Sequence, residues 1–105
     1  MDNKKKKNIL ETLTESISLK GKKTIISGAA SGIGRAISYR FAEAGSDLLL
    51  LDINEKGLNS TKKCLDLFNC KKQNFVFDLS KKEEIDKFWG NLGEDIPDIL
   101  INNAG

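Results

Sequence analysis

The sequence predicts an α/β fold built on a parallel sheet of four strands with three helices. Short apolar segments of strand length alternate with longer segments of helical periodicity, one strand is an unbroken run of leucines, and a glycine-rich turn lies between the first strand and the first helix. At 105 residues the chain has room for one small core, burying roughly 60 to 65% of the unfolded surface. With 39% apolar and 30% charged residues and a single proline, the composition is that of a soluble globular chain.

Each element follows from its residues. "KKTIISG", Lys22 to Gly28, is an apolar strand ending on glycine. "SGIGRAISYRFAEAG" is the first helix, with Ile33, Ala36, Ile37, Phe41 and Ala44 near one face and Gly45 as its stop. "SDLLLLD", Ser46 to Asp52, is apolar without alternation, which suits a central parallel strand covered on both faces. A mainly helical segment runs from about Asn54 to Phe68, with Leu58, Leu65 and Phe68 on its buried side and Gly57 weakening its first turn. "QNFVFD", Gln73 to Asp78, is β-prone. Ser80 and Glu83 then match a capping box for a helix carrying Ile85, Phe88 and Trp89, with Trp89 as a packing residue and a stop near Gly90 or Gly93. Pro97 keeps any helix out of the last strand, "DILIN".

Charge and residue inventory narrow the function. Net charge is +2, yet without Lys4 to Lys7 there are 13 basic residues against 15 acidic, a net of −2. The body is therefore no basic nucleic-acid surface, and residues 1–18 read as a flexible Lys-rich extension before a domain over 19–105. Ile9, Leu13 and Ile17 could form a short amphipathic helix there. Glu11 and Glu15 interrupt what would have to be a signal-peptide apolar region, and no run is long enough to cross a bilayer, so a cytoplasmic protein without a membrane partner is expected. With no histidine and only Cys64 and Cys70, a Cys/His metal site and a Ser-His-Asp triad are excluded, and the two thiols read as reduced.

The stretch that carries chemistry is "SGAASGIGRA", Ser27 to Ala36, with glycines at 28, 32 and 34. Gly28 permits a sharp exit from the strand, and Gly32 and Gly34 remove side chains that would hold a pyrophosphate off the backbone. The free N–H groups and the positive end of the helix dipole then face the anion. A phosphate-binding P-loop fails, because no lysine follows Gly32 or Gly34. Asp52 closes the second strand, where a carboxylate accepts hydrogen bonds from an adenosine ribose and repels a 2′-phosphate, favouring NAD over NADP. Alternatively, Asp52 is an ordinary cap for the next helix.

Together, "SGAASGIG", "LLLLD", "FDLS" and "INNAG" resemble the amino-terminal part of a classical short-chain dehydrogenase/reductase, over about residues 19 to 105 and beginning with the lead-in "LKGK". Ser27 stands where that family usually has threonine. The resemblance implies a Rossmann-like sheet of order 3-2-1-4, an incomplete half of a doubly wound fold. It implies that Gly28, Ser31, Gly32, Ile33 and Gly34 hold the pyrophosphate and adjoining groups, that Asp52 and Ile53 meet the adenosine ribose, and that Asp78 and Leu79 flank the adenine. Asn103, Ala104 and Gly105 would pass under the cofactor ribose, with Asn102 fixing the strand. NADP-preferring members often carry a basic residue where this chain has Ser31 or Ile53, which agrees with NAD as cofactor.

The family's catalytic serine, Tyr-x-x-x-Lys pair and further asparagine come after the Asn-Asn-Ala-Gly turn. The one tyrosine, Tyr39, is followed four places on by Glu43, so no catalytic residue is assigned. The expectation is the cofactor-binding portion of an NAD-dependent oxidoreductase acting on an alcohol or ketone, a fragment inactive alone, whose intact parent is a homo-oligomer. The alternatives are a non-catalytic nucleotide-binding module and a regulatory partner docking through the open strand edge.

Overall fold

A computed structural model describes residues 18–103. The extension expected over 1–18, its amphipathic helix, and Ala104 and Gly105 lie outside those residues, apart from Ser18. The elements run β1 (Lys23–Ser27), α1 (Gly32–Glu43), β2 (Asp47–Asp52), α2 (Glu55–Cys64), β3 (Lys72–Val76), α3 (Lys82–Leu92) and β4 (Ile99–Ile101). All pairings are parallel and the sheet order is β3-β2-β1-β4. Every strand therefore ends at the same edge, where β1, at the sheet's centre, hands over to α1.

The leucine run explains why the sheet has two cores. Ile25 pairs with Leu49 and Ile26 with Leu50, so successive side chains go to opposite faces. Ile26, Leu48 and Leu50 meet Ala42, Leu58 and Leu65 of the α1/α2 layer. Ile25, Leu49 and Leu51 meet Phe88 of α3, with Phe75, Phe77, Leu79 and Leu92 around it. Phe88 approaches Phe75 edge-on at 5.0 Å and stacks on Phe77 at 5.4 Å. Burying four consecutive leucines requires both layers, as the absence of alternation implies.

α1 turns a different face to the sheet from the one its apolar spacing suggests. Its buried line is Gly34, Ser38 and Ala42, with Ile37 and Phe41 packed beside it, whereas Ile33 is 70% exposed and Ala36 is also exposed. Small residues win because the helix lies close over β1 and its exit turn. Ser38 avoids a polar penalty by donating to the Gly34 carbonyl at 2.7 Å. In α2, Leu58 and Thr61 are fully buried, and Leu65, at the C-cap, completes that side.

α3 is capped differently from the expected Ser80–Glu83 box. Lys81 occupies the N-cap without a side-chain bond. Ser80 instead folds back on Asp78, whose Oδ1 accepts from the Ser80 amide at 2.9 Å and from its hydroxyl at 2.7 Å. Glu84 takes the reach-back role, its Oε2 accepting from the Asp78 amide at 2.8 Å. The Asx-type turn after β3 delays the helix start and moves the reach-back one residue along. Trp89 touches Phe88 edge-on but stays 41% exposed, so it is only partly a packing residue. Gly93, with φ +59°, ends the helix ahead of Pro97.

Candidate functional site

The carboxyl edge of the sheet gathers most of the residues singled out in the sequence. Gly28 leaves β1 with φ +65°, a left-handed turn that a side chain resists. The chain then crosses to β2, where the Ala29 amide donates to the Leu51 carbonyl at 3.1 Å. The next amide, Ala30, donates to Asp52 Oδ2 at 3.0 Å, and Asp52 Oδ1 accepts from the Asn54 amide at 3.0 Å. Asp52 thus clamps the turn and the entry to α2. Each of its oxygens retains a second lone pair for an outside donor.

The three glycines divide their work. Gly32, at φ +55°, has nothing within 4 Å of the place a β-carbon would occupy, so its open side is free for a ligand to approach. Gly34 is different: a β-carbon there would stand 1.9 Å from the Gly28 carbonyl oxygen and 2.9 Å from Asn103 Nδ2. The space it leaves is filled by helix-to-turn contact, a role that the sequence reading did not give it. Ser31, at the α1 N-cap, makes no side-chain capping bond. The first-turn amides have no intrahelical acceptor by construction, and with the dipole they suit an anion.

Ile33, in the first turn of α1, and Ile53, directly after Asp52, are 70% and 64% exposed. On the other side, Ser27 ties β1 to the end of β4: its Oγ accepts from the Asn103 amide at 2.9 Å and lies 3.2 Å from Asn102 Oδ1 as donor. Asn103 Nδ2 donates to the Gly28 carbonyl at 3.4 Å. Ser27, Asn102 and Asn103 thereby join the two strands under the turn. Beyond β2, the Phe77 amide donates to the Asp52 carbonyl at 3.2 Å, bringing Asp78 and Leu79 to the same edge. The Ser80 hydrogen bonds hold the Asp78 carboxyl below its usual range, and Leu79 packs into the Phe88 cluster.

Sequence reasoning passed over Arg35, Thr61 and the true role of Gly57. Arg35 Nε donates to Thr61 Oγ1 at 2.9 Å, and its guanidinium also reaches the Ala30 and Gly57 carbonyls. A β-carbon on Gly57 would lie 2.7 Å from Ala30 Cβ, so this glycine lets α2 press against the turn. The available signals were a glycine inside a helix and a lone arginine after the glycine string. Their partners are distant in sequence, so neither signal says what it touches.

Among the described residues, no group of three His, Cys, Asp or Glu side chains is placed to hold a metal, and no helix is long and apolar enough to cross a membrane. Cys64 and Cys70 are free thiols, and burial pushes the Cys70 thiol up.

A glycine turn whose open side faces a helix N-terminus, flanked by a carboxylate and two exposed isoleucines, fits a dinucleotide laid across the strand ends. Residues 22–105 match the family model for short chain dehydrogenase. The chain is 43% identical over 91 residues to human estradiol 17-beta-dehydrogenase 11, covering 84% of this chain and 30% of that one. It is 36% identical to 3beta-hydroxysteroid dehydrogenase 2 of Eggerthella lenta, covering 83% and 34%. Among solved structures, L-sorbose reductase from Gluconobacter frateurii, complexed with NADPH and L-sorbose, superposes with a TM-score of 0.77 at 29% identity, covering 85% of this chain and 35% of that one. The chain thus spans about a third of the length of the proteins it matches.

Proposed function

The chain belongs to the short chain dehydrogenase family, and on that premise we propose that it supplies the NAD-binding portion of an oxidoreductase that moves hydride between the cofactor and a small alcohol or ketone. Members of the family are oxidoreductases that bind a nicotinamide dinucleotide and small-molecule substrates. The observation that carries the finer reading is Asp52, held at the end of β2 by the Ala30 and Asn54 amides beside the open glycine turn. In the proposed site, the amides around Ser31, Gly32 and Ile33 bind the pyrophosphate, with Gly28 and Gly34 shaping the turn. Asp52 and Ile53 meet the adenosine ribose, Asp78 and Leu79 flank the adenine, and Asn103, Ala104 and Gly105 pass under the other ribose.

The bound dinucleotide supplies the hydride chemistry; this chain's residues bind and orient it. Asp52 accepts from ribose hydroxyls, each such contact being worth about 1.5–3 kcal/mol, and repels a 2′-phosphate. The selection of NAD follows from charge: no basic side chain stands at Ser31 or Ile53 to offset that repulsion. No residue of this chain is assigned a catalytic proton transfer, since Tyr39 lies on α1 and is followed by Glu43 four places on. A cytoplasmic location belongs to the same proposal, supported by two free thiols. Calorimetric titration with NAD and NADP tests the reading: tighter binding of NAD is expected, and binding of neither nucleotide overturns it.

A further inference from the structure

A hydrogen-bond relay runs from the cationic side chain of Arg35 to the carboxylate of Asp52 through a single peptide group. Arg35 Nε donates to Thr61 Oγ1 at 2.9 Å, and Thr61 Oγ1 donates to the Ala29 carbonyl at 2.7 Å. The same peptide's N–H, that of Ala30, donates to Asp52 Oδ2 at 3.0 Å. In a trans peptide the carbonyl and the N–H point in opposite directions, so the relay passes straight through the amide plane. Every bond in it runs the same way, from cation to anion, and bonds so aligned polarise one another. Thr61, Ala29 and Ala30 are buried, which shields the chain from competing water. Among the described residues Arg35 has no carboxylate partner; it donates to Thr61 Oγ1 and to the Ala30 and Gly57 carbonyls.

We propose that Arg35 and Thr61 are positioning residues for Asp52, acting through the Ala29–Ala30 peptide, and that they set how strongly the chain discriminates NAD from NADP. The proposal rests on Asp52 meeting the adenosine ribose. The relay fixes the Ala30 amide, the amide fixes one carboxylate oxygen, and the Asn54 amide fixes the other. Without the Thr61 hydroxyl, the peptide can rotate and Asp52 loses its fixed aim. NAD then loses a well-directed acceptor, while NADP gains relief from a well-directed repulsion.

The test uses the full chain with Thr61→Val, Thr61→Ser and Arg35→Lys, read in two ways. Without nucleotide, the Ala30 amide proton resonance moves upfield and exchanges faster in Thr61→Val, and Thr61→Ser restores it. With nucleotide, Thr61→Val weakens NAD by about 2- to 10-fold and NADP by less, so the ratio of dissociation constants narrows. If Thr61→Val does not fold, Arg35→Lys gives the same pattern, since it keeps the charge and loses the guanidinium fork. An unmoved Ala30 resonance, or an equal loss of affinity for both nucleotides, overturns the positioning role. Equal binding of NAD and NADP by the unmodified chain, with Ala30 still moved by Thr61→Val, overturns the ribose role of Asp52 and leaves the relay standing.

Discussion

Gly34 packs so closely on Gly28 that a β-carbon would stand 1.9 Å from the Gly28 carbonyl oxygen and 2.6 Å from its carbon. Those atoms are backbone at a turn already bound to its neighbours, so they cannot yield as a flexible side chain could. Gly34→Ala is expected to destabilise the fold by about 2–4 kcal/mol. Gly32→Ala meets open space and carries mainly the strain of its positive φ, about 1 kcal/mol, but puts a methyl group on the side proposed for the nucleotide. Urea denaturation and nucleotide titration of both variants separate the roles; a stable Gly34→Ala protein would contradict the packing assignment.

Gly57 tests whether close approach outweighs helix propensity. Alanine in a helix interior is ordinarily favoured over glycine by about 1 kcal/mol. Here its β-carbon would lie 2.7 Å from Ala30 Cβ and 2.9 Å from the Ala30 carbonyl oxygen. Gly57→Ala is expected to lower the thermal midpoint, with a net cost of about 1–2 kcal/mol, and to weaken nucleotide binding through the displaced turn. A raised midpoint would mean that α2 can retreat freely.

Asp52→Ala should erode the proposed preference for NAD. Removing the carboxylate deletes an acceptor and a repulsion together, so the ratio of NADP to NAD dissociation constants is expected to fall by about 10- to 100-fold. The Ala30 and Asn54 amides lose their acceptor in the same variant, so some stability is lost as well. Asp52→Asn separates the effects, keeping an acceptor while removing the charge. A ratio unchanged in both variants takes Asp52 away from the ribose.

Ser27 is expected to govern how firmly β4 is attached. Its hydroxyl accepts from the Asn103 amide at 2.9 Å, across 76 residues of sequence. Ser27→Ala should cost about 1–2 kcal/mol and speed hydrogen exchange at Asn103, whereas Ser27→Thr retains the bond. Protection at Asn103 that survives Ser27→Ala would assign the attachment of β4 to its backbone pairing with β1 alone.

Asp78 links the turn after β3 to pH. The Ser80 hydroxyl and amide bonds, in that order, lower its folded pKa below the ordinary carboxylate value. The unfolded state therefore holds the proton more tightly, and the stabilising contribution is complete above the unfolded pKa and is lost as pH falls through the folded one. Ser80→Ala should raise the Asp78 pKa and make the acid limb of stability shallower. Carbon-detected titration of the Asp78 carboxyl checks this, and an unmoved pKa would refute the assignment to Ser80.

The strand and helix order was legible because it rests on local periodicity. A run of four leucines can be satisfied only by cover on both faces, and the two core clusters supply it. A glycine string between a strand and a helix likewise announces a left-handed exit, observed at Gly28 and Gly32. Local pattern was weaker wherever two choices lay one step apart. Glu83 and Glu84 both precede the apolar side of α3, and the turn made by Asp78 and Ser80 decides that Glu84 reaches back. On α1, counting isoleucines put Ile33 inside, while close packing brought Gly34, Ser38 and Ala42 to the sheet.

By itself, then, the sequence determined the α/β alternation, the parallel sheet, the glycine turn and the carboxylate at the end of β2, since each follows from neighbouring residues. Only the tertiary structure decided what Gly34 and Gly57 make room for and how Arg35 connects to Asp52. Arg35 and Thr61 are 26 residues apart, and Thr61 and Ala29 are 32 apart. No periodicity reports contacts of that kind, because they exist only once α1, α2 and the turn have packed together and the buried donors must find whichever acceptors the fold has placed within reach.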